Sequence, residues 1–80
     1  METSKLPPVY LSSSTIDAVG WKLKRLFVRF KFGASYVYDK VPFAYFISLQ
    51  EVESAGKFLH NYVKKGGFRY TKLDSDPFSA

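Results

Sequence analysis

The chain has no cysteine among its 80 residues and a single histidine, His60. No disulfide can staple it, and no thiolate can bind a metal or act as a nucleophile. Absence of cysteine fits a reducing cytosol. No run of about 18 apolar residues occurs, which leaves no segment able to span a membrane as a helix. No glycine-rich phosphate loop is present; Gly66-Gly67 reads as the turn at a helix end. The start, Met1-Glu2-Thr3-Ser4-Lys5, has neither the basic region nor the apolar block of a secretory signal, so a cytoplasmic location is expected. Glu51 and Glu53 lie two apart on a helical stretch and do not face each other. Asp74 and Asp76 fall in a terminal tail, and His60 reads as a half-exposed structural residue. The expectation is a protein with no catalytic residues, no cofactor and no metal.

What is abundant is aromatic. Eight Phe, six Tyr and one Trp make 19% of the chain. A domain this short buries roughly 60% of its unfolded surface, so large rings are an economical way to build its core. Some of those rings can instead belong to a binding surface. The net charge is +5, and the basic excess concentrates between Lys22 and Lys31. That admits an anionic partner, but it also lies within the ordinary charge of a soluble small domain.

The chain reads as one domain. Residues 1–8, ending in Pro7-Pro8, form an extended arm; residues 9–73 form the domain; residues 74–80 form a flexible tail. Residues 16–23 alternate weakly, with Ile16 and Ala18 on one face and Val19, Trp21 and Leu23 on the other. Gly20 marks a bulge or close approach. Lys24-Arg25 lies in a tight connection. Residues 26–32 alternate strictly, with Leu26, Val28, Phe30 and Phe32 on one face and Phe27, Arg29 and Lys31 on the other, as in a sheet buried on one side. Gly33-Ala34 turns the chain into a third strand at residues 35–40. Val41-Pro42 ends it: Val41 is pushed to extended geometry, and Pro42 suits the first position of a helix.

The period then changes to about 3.6. Phe46, Leu49 and Val52 share one helical face, flanked by Phe43 and Ile47. Ser54 caps a second helix whose Ala55, Phe58, Leu59, Tyr62 and Val63 follow the full amphipathic spacing, with Phe58 as the central plug. Gly66 supplies a left-handed exit. The sum is an α+β domain: a small antiparallel meander of three strands, joined by a fourth if residues 68–73 pair, with two consecutive helices packed on one face.

The same pieces, in order, resemble the KTSC domain family, named for the C-terminal domain of some lysyl-tRNA synthetases. They are Ser13-Ser14-x-Ile16, Val19-Gly20-Trp21, Leu26-x-Val28-x-Phe30, Tyr36-x-Tyr38, Val41-Pro42 and Ser54-x-Gly56-Lys57-Phe58, spanning roughly residues 9–72. The chain departs from the pattern at Trp21-Lys22, where the family commonly has Tyr followed by Asp, and at a shortened first hairpin. The resemblance implies a small domain that also occurs free-standing in bacteria and their phages. Through the synthetase context it implies a link to RNA.

From the residues themselves, the candidate site is a basic and aromatic sheet face: Phe27, Arg29 and Lys31 from the middle strand with Tyr36 and Tyr38 from its neighbour. If those faces coincide, rings interleave with cations, as on surfaces that bind single-stranded RNA or another nucleic acid. If they do not, the tyrosines pack under the helices with hydroxyls at the rim. A second surface could form from Lys57, Lys64, Lys65, Arg69 and Lys72. The alternative function is a protein-binding module that docks on a host or cellular protein, with an exposed Trp21 as anchor and Lys22, Lys24 and Arg25 beside it.

Overall fold

The computed structural model describes residues 7–78. Its sheet has five antiparallel strands in chain order: β1 (Val9–Tyr10), β2 (Ile16–Lys22), β3 (Arg25–Phe30), β4 (Ser35–Tyr38) and β5 (Tyr70–Leu73). Between β4 and β5 come α1 (Phe43–Glu51) and α2 (Ala55–Phe58). The second helix runs on as a wider π-type coil over Leu59–Lys64, in which the Lys65 amide donates to the His60 carbonyl five residues back, at 3.1 Å. The α+β reading holds, but three or four strands undercounts the sheet. β1 has two residues, too few to show any alternation, and it pairs as Val9 with Val19 and Tyr10 with Ala18.

One face of the sheet carries the core. Val19, Leu26, Val28, Phe30 and Tyr38 meet Leu49, Ala55, Leu59 and Val63 from the helices. Burial of this cluster is what holds so small a domain together. Within the second helix the buried stripe is Ala55, Leu59 and Val63; Phe58 is half-buried against Tyr45 and Tyr62, so the plug is Leu59 and not Phe58. Ser54 caps as its hydroxyl predicts, accepting from the Lys57 amide at 3.3 Å. Val52 lies just past the end of α1 and is exposed, leaving Leu49 as the fully buried residue of that helix.

Two local features redirect side chains. The irregularity in β2 falls between Ile16 and Ala18 and not at Gly20. A bulge adds one residue and so shifts the alternation that follows. Ile16 therefore joins Val19 and Val28 in the core, while Asp17 reaches Arg29 on the opposite face. At the end of the second helix, the left-handed residue is Gly67 (φ +83°). Gly66 is constrained differently: a Cβ there would press into the Tyr62 carbonyl.

The sheet's other face is not bare. Phe78 is buried with Ala18 and packs on Phe27. Residues 74–78 of the expected loose tail thus return over the back of the sheet; residues 1–6 of the expected arm, and 79–80, lie outside the described residues.

Candidate functional site

Register decides which residues can act together. β4 pairs with β3 as Leu26 to Tyr38, Phe27 to Val37, Val28 to Tyr36 and Arg29 to Ser35. Paired residues share a face, so Tyr36 and Tyr38 stand with Leu26 and Val28 on the helix side. Phe27 and Arg29 stand on the back. The interleaved face of Phe27, Arg29, Lys31, Tyr36 and Tyr38 therefore does not form.

On the back, Arg29 is held by two carboxylates. Its Nε and Nη2 meet the same Asp17 oxygen at 2.9 and 2.7 Å, and its Nη1 meets Asp76 at 2.5 Å. Burial opposes the guanidinium charge, but the hydrogen bonds to Asp17, Asp76 and Tyr10 outweigh it and hold the pKa above the usual arginine value. The guanidinium carbon also lies 5.3 Å from the Phe78 ring centre and 6.0 Å from that of Tyr10. Arg29 is thus the clamp of the C-terminal segment, its charge met within the chain. Lys31 falls beyond β3, exposed in the following turn, where its amide donates to the Thr15 carbonyl at 2.8 Å. Lys22, Arg25 and Phe27 do come together, with Leu23 and Pro77, around a groove of about 360 Å³. Arg25 is 3.5 Å from Asp39. Lys24 sits at the hairpin tip beside Leu23, and both have positive φ.

Trp21 is not an exposed anchor. It faces the core side, half-buried, and its indole N–H donates to the Val41 carbonyl at 2.8 Å while its ring meets Phe43 edge-on at 4.9 Å. It locks the entry to α1.

The rings and cations that do meet lie on the helix side, where the second helix leaves the β4–β5 end of the sheet open. β5 pairs as Tyr36 to Lys72 and Tyr38 to Tyr70, which adds a tyrosine and a lysine to this face. Tyr36 lies 5.8 Å from Phe30 and 6.0 Å from Tyr70, centre to centre. Phe32 stacks on Phe30 at 5.3 Å. Tyr38 forms the floor at 2% exposure, whereas Phe32 and Tyr70 are 74% and 62% exposed. Burial pushes the Tyr38 phenol up to about 12, with Tyr36 and Tyr70 adding to the shift. Lys64 Nζ stands over the Phe30 ring at 5.3 Å. The resulting groove holds about 360 Å³.

Tyr36 and Tyr38 were legible as a pair; Phe30, Phe32 and Tyr70 were not legible as their partners. The missing signal was the pairing of residues 70–73 with β4. Once that strand is placed, Tyr70 opposite Tyr38 follows from register alone. Among the described residues no group of three or more His, Asp or Glu could hold a metal ion, and no helix is long and apolar enough to cross a membrane.

No curated protein matches the chain. A crystal structure of a KTSC domain protein from Yersinia pestis superposes with a TM-score of 0.74 at 28% identity, covering 85% of this chain and 97% of that one. The KTSC domain model matches residues 12–70, from the Ser12–Thr15 connection to the first residue of β5. By this match over most of its length, the chain belongs to the KTSC domain family.

Proposed function

We propose that the chain is a non-catalytic module that binds single-stranded nucleic acid, RNA foremost, through the ring-lined groove on the helix side of the sheet. The observation that carries this is the continuity of Phe32, Phe30, Tyr36 and Tyr70 with a lysine at each flank: Lys64 over Phe30, and Lys72 opposite Tyr36. Every base has a π-face, so exposed rings give sequence-tolerant stacking, while ammonium groups meet the phosphates. Leaving large rings such as Phe32 and Tyr70 in water is unfavourable, and a stacked base would cover them.

The test is fluorescence anisotropy with a labelled octa-uridylate at about 50 and about 200 mM salt. Binding should weaken steeply with salt. The Phe32→Ala/Tyr70→Ala double variant should lose about 1–3 kcal/mol per ring removed. Both side chains are largely exposed, so the fold should survive. Absence of binding at the lower salt, or indifference to the double variant, overturns the reading. A partner captured from lysate that survives nuclease, combined with absent oligonucleotide binding, would favour protein docking instead. The exposed Leu23 tip beside Lys22, Arg25 and Phe27 would then be the first surface to mutate.

A further inference from the structure

A second groove, of about 530 Å³, opens between the Ser12–Thr15 connection and the outer face of the second helix. Lys57, His60, Asn61 and Lys64 follow the i, i+3, i+4, i+7 spacing of one helical face, and all four line it. The hydroxyls of Ser12, Ser14 and Thr15 line it from the loop side, and no apolar side chain does. Glu53 is the one acid in the lining, against two lysines.

The loop is held in place. Ser13 Oγ accepts from the Thr15 and Ile16 amides, each at 3.1 Å, which fixes the turn that presents its neighbours. Gly56 brings the helix close to it: a Cβ there would lie 3.4 Å from Thr15 Oγ1. This is a donor-rich surface of ammonium, hydroxyl and amide groups on a fixed scaffold, the chemistry that receives a phosphate.

The groove also adjoins the first. Thr15 and Lys64 line both. We infer that the polar groove is a phosphate subsite: it takes the phosphate of a nucleotide whose base lies on the adjacent rings. The base half of this assignment rests on the nucleic-acid reading above; the phosphate half needs only an anion.

Amide NMR of the full chain separates the two halves, using inorganic phosphate, uridine and uridine monophosphate as probes. Phosphate and the nucleotide should both move the amides of Ser14, Gly56 and Lys57, which line only the polar groove, and uridine should not. Uridine and the nucleotide should both move Phe32 and Tyr70. The Lys57→Gln/His60→Gln variant changes two exposed side chains; it should abolish the phosphate-dependent shifts and keep those from uridine. In octa-uridylate binding, Lys57→Gln alone should lower the salt slope by about 0.7. Phosphate shifts that are absent, or spread equally over Lys22, Lys24 and Lys65, overturn the subsite. If uridine still moves the rings in that case, the nucleic-acid reading stands without it. If phosphate moves the polar groove while uridine leaves the rings unmoved, the subsite stands and the base-stacking reading falls.

Discussion

Lys64 Nζ lies 5.3 Å from the centre of the Phe30 ring, at the place where the ring-lined groove meets the hydroxyl-lined one. A cation over a ring at an exposed site stabilises by about 0.5–1 kcal/mol, so Lys64 should matter little to folding. Its position argues that it matters to binding. Lys64→Met keeps most of the aliphatic stem and removes the charge. Urea unfolding should show a loss below about 1 kcal/mol, while the salt slope of octa-uridylate binding falls by about 0.7, the value for one phosphate contact on a single strand. An unchanged slope with a large stability loss would make Lys64 a packing residue only.

The second helix gives a direct contrast between two neighbours. Leu59 is 1% exposed in the middle of the core, and Phe58 is half-buried at its margin. Leu59→Ala should cost about 2–5 kcal/mol, the cost of a cavity the surroundings cannot close. Phe58→Ala should cost less despite the larger side chain, because Phe58 packs at the margin of the core and part of its ring already meets solvent. Paired urea curves decide the order, and the reverse order would restore Phe58 as the plug.

The elements legible in the sequence were those whose evidence is local. Strict alternation placed Leu26, Val28 and Phe30 opposite Phe27 and Arg29, and the helical period found Ala55, Leu59 and Val63. The site was not legible, because it depends on register. The 31–34 turn sets whether Tyr36 faces with Val28 or with Arg29, and a one-residue change reverses every side chain. The bulge after Ile16 did the same to β2 and carried Asp17 to Arg29. Phe78 lay hidden for another reason: one aromatic in a polar tail reads as loose until a charged clamp and a ring on the sheet are seen to receive it.

The β2–β3 hairpin turns on Leu23 and Lys24, with φ of +54° and +65°. Two-residue hairpins of this geometry favour Asn-Gly, because L-residues with a bulky Cβ are strained there. Leu23 adds an apolar side chain 80% exposed at the tip. Leu23→Asn/Lys24→Gly should therefore stabilise the domain by about 1–2 kcal/mol. The Lys24 carbonyl that accepts from the Val41 amide at 2.8 Å is kept, since it belongs to the backbone. A lower urea midpoint would show that the Leu23 side chain makes a contact worth more than the strain.

Tyr38 makes the stability depend on alkali. Its phenol is pushed up to about 12 by burial, with Tyr36 and Tyr70 adding to the shift, against about 10 in an unfolded chain. Between those values the unfolded chain releases this proton and the folded one keeps it. The unfolded state binds fewer protons, so stability falls as pH rises. The contribution is fully present below pH about 10 and amounts to about 2–3 kcal/mol lost by pH about 12. Ultraviolet titration should show one late tyrosine, absent in Tyr38→Phe, and that variant should lose less stability over the same interval. Simultaneous titration of all tyrosines in the folded protein would refute the buried phenol.

Arg29 separates the two faces experimentally. It joins Asp17 and Asp76 and lies against Phe78, so Arg29→Gln would leave two carboxylates near each other without their cation. Removing one partner of a partly buried pair costs more than weakening it. Arg29→Gln should therefore destabilise by about 1–3 kcal/mol, and Asp76→Asn, which leaves Asp17 in place, by less. Hydrogen exchange gives a local reading. The Phe78 amide, which donates to Asp76 Oδ1 at 2.9 Å, should lose protection in both variants before the core does. Octa-uridylate affinity at a temperature where Arg29→Gln remains folded should stay within about twofold of the parent, since this arginine lies across the sheet from the rings. If Arg29→Gln weakens binding as much as Lys64→Met does, the ligand sits on the back of the sheet, where the C-terminal segment would have to leave to admit it.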